Sequence, residues 1–185
     1  MIVLIDTNVI VTYLLQRDVP DLVECRTILQ HCATGCLKGY VNLPTLATAW
    51  YLMRKMDVSR RREKLRELCR VVNLANIEMV FVRQAIDNDD FPDFEDNLQE
   101  CCARSVGADY IVTANVKDFS GHSRVAPITP AGLLGILEFQ AFHQNPSAPE
   151  IHEEVAPFFP HGILVTEQIR LSNHIISHRH RWQGV

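Results

Sequence analysis

Three features of the sequence predict an α/β fold, a three-layer α/β/α sandwich around a mainly parallel central sheet. Met1-Ile2-Val3-Leu4-Ile5 is an unbroken apolar run, the pattern of a strand covered on both faces. Short apolar runs return at Ile77–Val82, Asp109–Thr113 and Val125–Ile128, with a briefer one at Lys38–Leu43. Longer stretches with apolar residues at helical spacing lie between them, and strands alternating with helices imply a parallel sheet clothed by helices.

Taken in order, Asp6-Thr7-Asn8 cuts off the first strand, and Thr7 or Asn8 can cap a helix over residues 8–16. Pro20 suits the first turn of a second helix, running to about Thr34 with Leu22, Val23, Cys25, Ile28 and Leu29 on its apolar side; Gly35 stops it. Pro44 opens a third helix, to about Met56, carrying Leu46, Trp50, Leu52 and Met53. Ser59 is the expected cap of a fourth, through about Asn73, in which Leu65, Leu68, Cys69 and Val72 recur. After the strand at Ile77–Val82 comes an acidic loop, Asp87–Asp96, then a helix Phe94–Ser105 ended by Val106-Gly107. Pro130 begins a short helix to about Phe139.

At Ala141 the composition changes, which divides the chain into a domain over residues 1–140 and an extension over 141–185. Asn145-Pro146-Ser147-Ala148-Pro149 reads as a linker, and six of the eight histidines lie beyond residue 140. Glu167–His178 has the spacing of a modest amphipathic helix. Val155–Leu164, with Phe158, Phe159, Ile163 and Leu164, can dock on the domain or on a second subunit. His174 and His178 are an (i, i+4) pair of the kind that binds transition ions, but beside His180, Arg179, Arg181 and Trp182 a frayed polar end from Ser177 to Val185 is the better reading.

Composition bounds the function. With 185 residues, 47% of them hydrophobic and 22% charged, the chain suffices for one globular domain with a real core. A net charge of −4 gives no overall attraction to nucleic acid, so such a contact needs a local patch. Arg60, Arg61, Arg62, Lys64, Arg66 and Arg70 supply a candidate on one predicted helix, interrupted by Glu63 and Glu67. Solvated (i, i+4) ion pairing is the competing reading of that helix. The six cysteines show no Cys-x-x-Cys pair and no grouping with histidine, as expected of reduced, mostly core thiols in a cytosolic protein. The first apolar run meets Asp6 after five residues, too soon for a signal peptide, and no stretch is long enough to span a membrane.

The chemistry lies in acids. Asp6 falls at the carboxyl end of the first strand, the edge at which open α/β sheets bind ligands. Asp87, Asp89, Asp90, Asp93, Glu95 and Asp96 put six acids in ten residues, and the last three enter a helix, whose N-terminal N–H groups favour negative charge in any case. Thr113-Ala114-Asn115-Val116-Lys117-Asp118-Phe119, directly after the strand Tyr110-Ile111-Val112, brings Asn115 and Asp118 to a carboxyl strand end. Three segments thus deliver carboxylates to one sheet edge, where they repel one another unless a cation neutralises them. Oxygen-only ligands suit Mg²⁺ or Mn²⁺, which activate water and stabilise charge at phosphorus, so phosphodiester hydrolysis is the expected reaction class. A Mg²⁺ phosphatase on a doubly wound sheet ranks last, because no Gly-rich phosphate loop is present.

Ile5-Asp6-Thr7-Asn8, Asp93-Phe94-Glu95-Asp96-Asn97-Leu98-Gln99, and Gly107-Ala108-Asp109-Tyr110-Ile111-Val112-Thr113-Ala114-Asn115-Val116-Lys117-Asp118-Phe119, in that order over residues 1–138, resemble the PIN domain. More narrowly, they are similar to bacterial PIN proteins related to VapC-type toxins. The resemblance implies a Mg²⁺- or Mn²⁺-dependent ribonuclease, often dimeric, often paired with an inhibitory antitoxin. It maps metal-binding acids onto Asp6 and Asp96, with the fourth acidic slot near Asn115 or Asp118. The expected catalytic and metal-binding set is then Asp6, Asp96 and Asp118, with Asp93 and Glu95 in reserve and Asn8, Thr113 and Asn115 in support. Lys117, beside the acids, becomes the nearer phosphate neighbour. Thr48 stands at the apparent position of a glutamate common in the family, and Ala114 where an arginine is usual. A catalytically weak PIN module acting in binding or assembly is therefore the alternative to an active ribonuclease.

Overall fold

A computed structural model describes residues 1–91 and 93–144; the expected linker, docking segment, last helix and histidine-rich end lie outside the described residues. The chain runs β1 (Ile2–Ile5), α1 (Thr7–Leu15), α2 (Leu22–Ala33), β2 (Lys38–Val41), α3 (Leu43–Leu52), a 3₁₀ turn (Met53–Lys55), α4 (Val58–Val71), β3 (Asn73–Leu74), α5 (Met79–Asp87), α6 (Phe94–Ser105), β4 (Tyr110–Val112), α7 (Val116–Phe119), β5 (Ala126–Ile128) and α8 (Pro130–Gln144). All four strand pairings are parallel, in the order β3-β2-β1-β4-β5.

Successive side chains of a strand point to opposite faces, and here both faces are covered. Val3, Ile5 and Val112 join a core with Val9, Ile10, Ile28, Leu29 and Leu133 from α1, α2 and α8. Leu4 and Ile111 join a second core with Cys102, Ala103 and Phe119 from α6 and α7, together with Phe91. The unbroken apolar character of β1 follows directly: Val3, Leu4 and Ile5 are all fully buried, and no position is left to face water. The expected three-layer α/β/α architecture is the one observed. Strand order reverses between β1 and β4, so the crevice at their carboxyl ends is where such a sheet receives a ligand.

Several local expectations need correction. Ile77–Val82 is not a strand: the strand on β2 is Asn73–Leu74, and α5 begins at Met79 after an N-cap at Glu78. Burial there follows the helical period, with Phe81, Val82 and Ala85 turned inward and Met79, Val80 and Ile86 exposed. A short apolar run alone does not separate the two. Asp57, not Ser59, caps α4, accepting the Arg60 N–H at 2.9 Å. The N-cap of α1 is Asp6 itself, which leaves Thr7 and Asn8 inside the first turn rather than capping it. Helix α2 starts two residues beyond Pro20, β2 stops at Val41 because Asn42 caps α3, and α8 continues past Phe139 to Gln144. Cys25, Cys32, Cys101 and Cys102 are buried while Cys36 and Cys69 are exposed, all as free thiols. No helix of the described residues is long and apolar enough to cross a membrane.

One glycine is fixed by packing. A Cβ on Gly39 of β2 would lie 2.6 Å from Cys32 Sγ and 3.0 Å from Ile5 Cδ1, where α2 presses on the sheet. Gly39→Ala is expected to cost about 1–3 kcal/mol by overpacking, read as a lower thermal midpoint.

Candidate active site at the carboxyl edge of the sheet

The site begins where β1 ends. The Asp6 N–H still donates to Val112 O at 3.0 Å, extending the ladder by one residue, while its side chain sits at the mouth of the β1–β4 crevice only 4% exposed. Three donors hold that carboxylate. Thr113 Oγ1 donates to Oδ2 at 2.7 Å, Asn8 Nδ2 donates to the same oxygen, and Gln99 Nε2 donates to Oδ1 at 2.7 Å. The fully buried Thr113 hydroxyl also accepts from Asn8 Nδ2 at 3.0 Å and from the Asn115 N–H at 2.9 Å. Asn8 Oδ1 in turn accepts the Ala114 N–H at 3.2 Å. The first turn of α1 and the loop after β4 are thereby laced onto one carboxylate.

This network decides what Asp6 can do. Burial raises its pKa, and the bonds from Thr113 and Gln99 and the backbone N–H groups of Asn8 and Thr7 oppose that rise without cancelling it. A carboxylate offers about four acceptor positions, and the recorded side-chain bonds use two on Oδ2 and one on Oδ1. Among side-chain donors, Oδ1 is therefore the less engaged of the two oxygens. Thr113→Val keeps the shape but takes a donor from Asp6 and an acceptor from the Asn115 N–H. It is expected to cost about 1–3 kcal/mol, seen as an earlier urea midpoint.

Helix α6 supplies the facing acids. Asp93 is its N-cap, and Oδ1 accepts the N–H groups of Glu95 (2.7 Å) and Asp96 (3.2 Å), so this acid is engaged in capping. The half-buried Asp96 carboxyl is pushed up to about 7, first by burial and then by the charges of Asp6, Asp93, Asp118 and Glu95. All five acids thus share one electrostatic neighbourhood. Glu95 accepts from Thr7 Oγ1 at 3.2 Å, and Thr7 Oγ1 lies 2.8 Å from Thr45 Oγ1 of α3. Asp118 lies exposed on α7, a turn that the sequence did not announce, with Lys117 exposed beside it.

Other expected participants stand apart from the network. Asn115 enters it through its backbone N–H, its side chain lying exposed. On α3 it is Thr45, three residues before the half-buried Thr48, whose hydroxyl reaches Thr7. Helix α4 leads into edge strand β3, two strands from β1, with Arg60 and Arg62 exposed. The Arg61 guanidinium stacks over Trp50 at 4.3 Å, and burial, with Arg60 next, lowers the pKa of Lys64. The only ion pair among the described residues is Arg104–Glu100, so Glu63 and Glu67 make no close pair with the bases of this helix, though both charges act on Lys64. Sequence reasoning missed Gln99, Thr7 and Thr45. Gln99 lies three residues after Asp96 and so on the same helix face, but its burial is what separates it from a surface amide.

Whether a divalent cation suits these residues turns on charge. None of the five acids has a Lys or Arg partner within ion-pair distance among the described residues, and the donors are all oxygen. Among the described residues no three His, Cys, Asp or Glu side chains form a ready-made cage. The fit is therefore to an ion held by one or two carboxylates that retains water, the habit of Mg²⁺. The family model for the PIN domain matches residues 2–117, from β1 into α7. The chain belongs to the PIN domain family. Asp6, Asp96 and Thr113 of this PIN domain lie within the match, and Asp118 falls one residue beyond it. VapBC2 from Rickettsia felis, solved bound to a DNA fragment from their promoter, has a similar fold at TM-score 0.52 and 17% identity, over 70% of this chain and 98% of that one. No curated protein matches the sequence.

Proposed function

We propose that this PIN domain is a Mg²⁺- or Mn²⁺-dependent endoribonuclease that hydrolyses RNA phosphodiester bonds. The observation that carries the reading is the un-neutralised acid cluster around Asp6 and Asp96 in the switch-point crevice. Asp6 and Asp96 would hold the ion, with Asp118 at the rim and Asp93 and Glu95 adding negative charge. A divalent ion bound there supplies an acidified water and charge stabilisation at phosphorus. Thr113, Asn8 and Gln99 keep the Asp6 carboxylate fixed, and Lys117 offers a counter-charge to the substrate's phosphates. The exposed arginines of α4, with Lys64 and Arg61, are a second, more distant RNA contact. Purified protein with Mn²⁺ is expected to cleave single-stranded RNA, and to lose that activity with EDTA. Equal cleavage in both conditions contradicts the reading.

The biological setting belongs to the same proposal. The fold shared with VapBC2 supports a toxin paired with an antitoxin. The resemblance to VapC-type proteins adds a homodimer in the cytoplasm, with the nuclease in residues 1–140 and an extension in 141–185. A second reading, a catalytically weak PIN module used in binding or assembly, is favoured by Thr48 in place of an acid on α3 and by the lack of a three-acid cage among the described residues. Saturable Mn²⁺ uptake that is lost with Asp96→Ala separates them in favour of the nuclease.

A further inference from the structure

Two amides are buried on α6, and they do different work. Asn97 Nδ2 donates to the backbone carbonyl of Ala85 at 2.9 Å and Asn97 Oδ1 receives the Cys101 thiol, so this side chain ties α6 to α5. Gln99, only 2% exposed, makes its recorded hydrogen bond to Asp6 Oδ1 across 93 residues of sequence, and its Oε1 has no partner. A buried acceptor left unpaired costs stability, and an apolar side chain of the same volume would avoid that cost. The amide at this position therefore answers to Asp6 and not to the core. Its orientation is set by chemistry, since only the NH₂ end can face an ionised carboxylate.

We infer that Gln99 is a positioning residue for the cation site: its Nε2 pins Asp6 Oδ1, the carboxylate oxygen that the Thr113 and Asn8 side chains leave alone, while Oε1 waits as an acceptor for water entering with the ion. The Thr113 and Asn8 side chains grip only Oδ2, so Gln99 is the one side chain that holds the other oxygen. Spacing adds to the case. Asp96 and Gln99 are three residues apart on one face of α6, with Asp96 half-buried at the mouth and Gln99 at the floor. One helix thus contributes both a proposed ligand and the group that aligns the ligand opposite. The inference rests on the cation-binding reading above.

Mn²⁺ titration calorimetry on the full chain tests it, beside thermal melts with EDTA or Mn²⁺. Gln99→Met is expected to weaken Mn²⁺ binding about 10–100-fold, the usual scale for losing a group that orients a ligand. Asn97→Ala lowers the melting temperature in EDTA but leaves Mn²⁺ affinity near wild type. Gln99→Glu sets a second carboxylate against Asp6, so its melting temperature rises more on adding Mn²⁺ than that of the wild type. Wild-type affinity in Gln99→Met overturns the assignment, as does a Gln99→Glu chain whose Mn²⁺ increment matches wild type or that Mn²⁺ does not rescue. If the wild type itself takes up no Mn²⁺, the cation reading fails first and this assignment falls with it. Uptake by the wild type with unmoved Gln99 variants ends the assignment alone.

Discussion

Asp6→Asn is expected to reduce Mn²⁺-dependent RNA cleavage by more than about a hundredfold, since groups that merely orient a metal ligand are worth 10–100-fold. The fold should survive. The new side chain offers one oxygen, which suits the donors Thr113 and Asn8, and one NH₂ group, which meets Gln99. The Gln99 amide can turn over and present Oε1 to that NH₂, giving its unpaired oxygen a partner. Removing a buried charge also relieves the desolvation that raises the pKa of Asp6. Lost cleavage with a native-like melt marks Asp6 as chemistry; lost cleavage with a collapsed melt marks it as architecture. Cleavage at the wild-type rate would show that the nuclease in the preparation is another protein.

The pH dependence should be nearly as large. The Asp96 carboxyl, at about 7 against 3.8 for an unperturbed aspartate, keeps a proton in the folded chain that the unfolded chain has already released. Between those two values the folded state binds more protons, so this group stabilises below about pH 4 and its contribution is lost as pH rises through about 7. Without a divalent ion the melting temperature should therefore fall across that window. Adding Mn²⁺ should restore it, because the ion replaces the proton as the neutralising charge. At a hundredfold excess over Kd the ion contributes about 2.7 kcal/mol, several degrees for a domain of this size. Mn²⁺ affinity should rise from pH 6 to pH 8, with proton release visible in buffers of different ionisation enthalpy. Affinity flat over that range would mean that Asp96 does not bind the ion.

Both predictions depend on residues that could be read from the sequence to different depths. The sheet was legible because β1 and β4 are buried on both faces, which forces an apolar run with no polar alternation. The nearness of Asp6 and Asp96 was legible because β1 and α6 deliver them to one sheet edge, although a helix start favours acids in any case. The exchange of a strand at Ile77–Val82 for helix α5 was not, because a six-residue apolar run satisfies either period until its packing partners are known. Nor was the two-residue strand Asn73–Leu74, too short to show a period and exposed at both positions; backbone pairing with Tyr40 and Val41 defines it. Gln99 escaped for a related reason. Its role lies in a contact across 93 residues, and a lone glutamine in a helix resembles any surface amide until its burial is known.

Crystals of the protein soaked in Mn²⁺, with the ion located by its anomalous scattering, test the central claim most directly. The account predicts a peak beside the carboxylates of Asp6 and Asp96, with Gln99 still holding Asp6. A fully occupied peak elsewhere, or none beside Asp6 at saturating Mn²⁺, would contradict it.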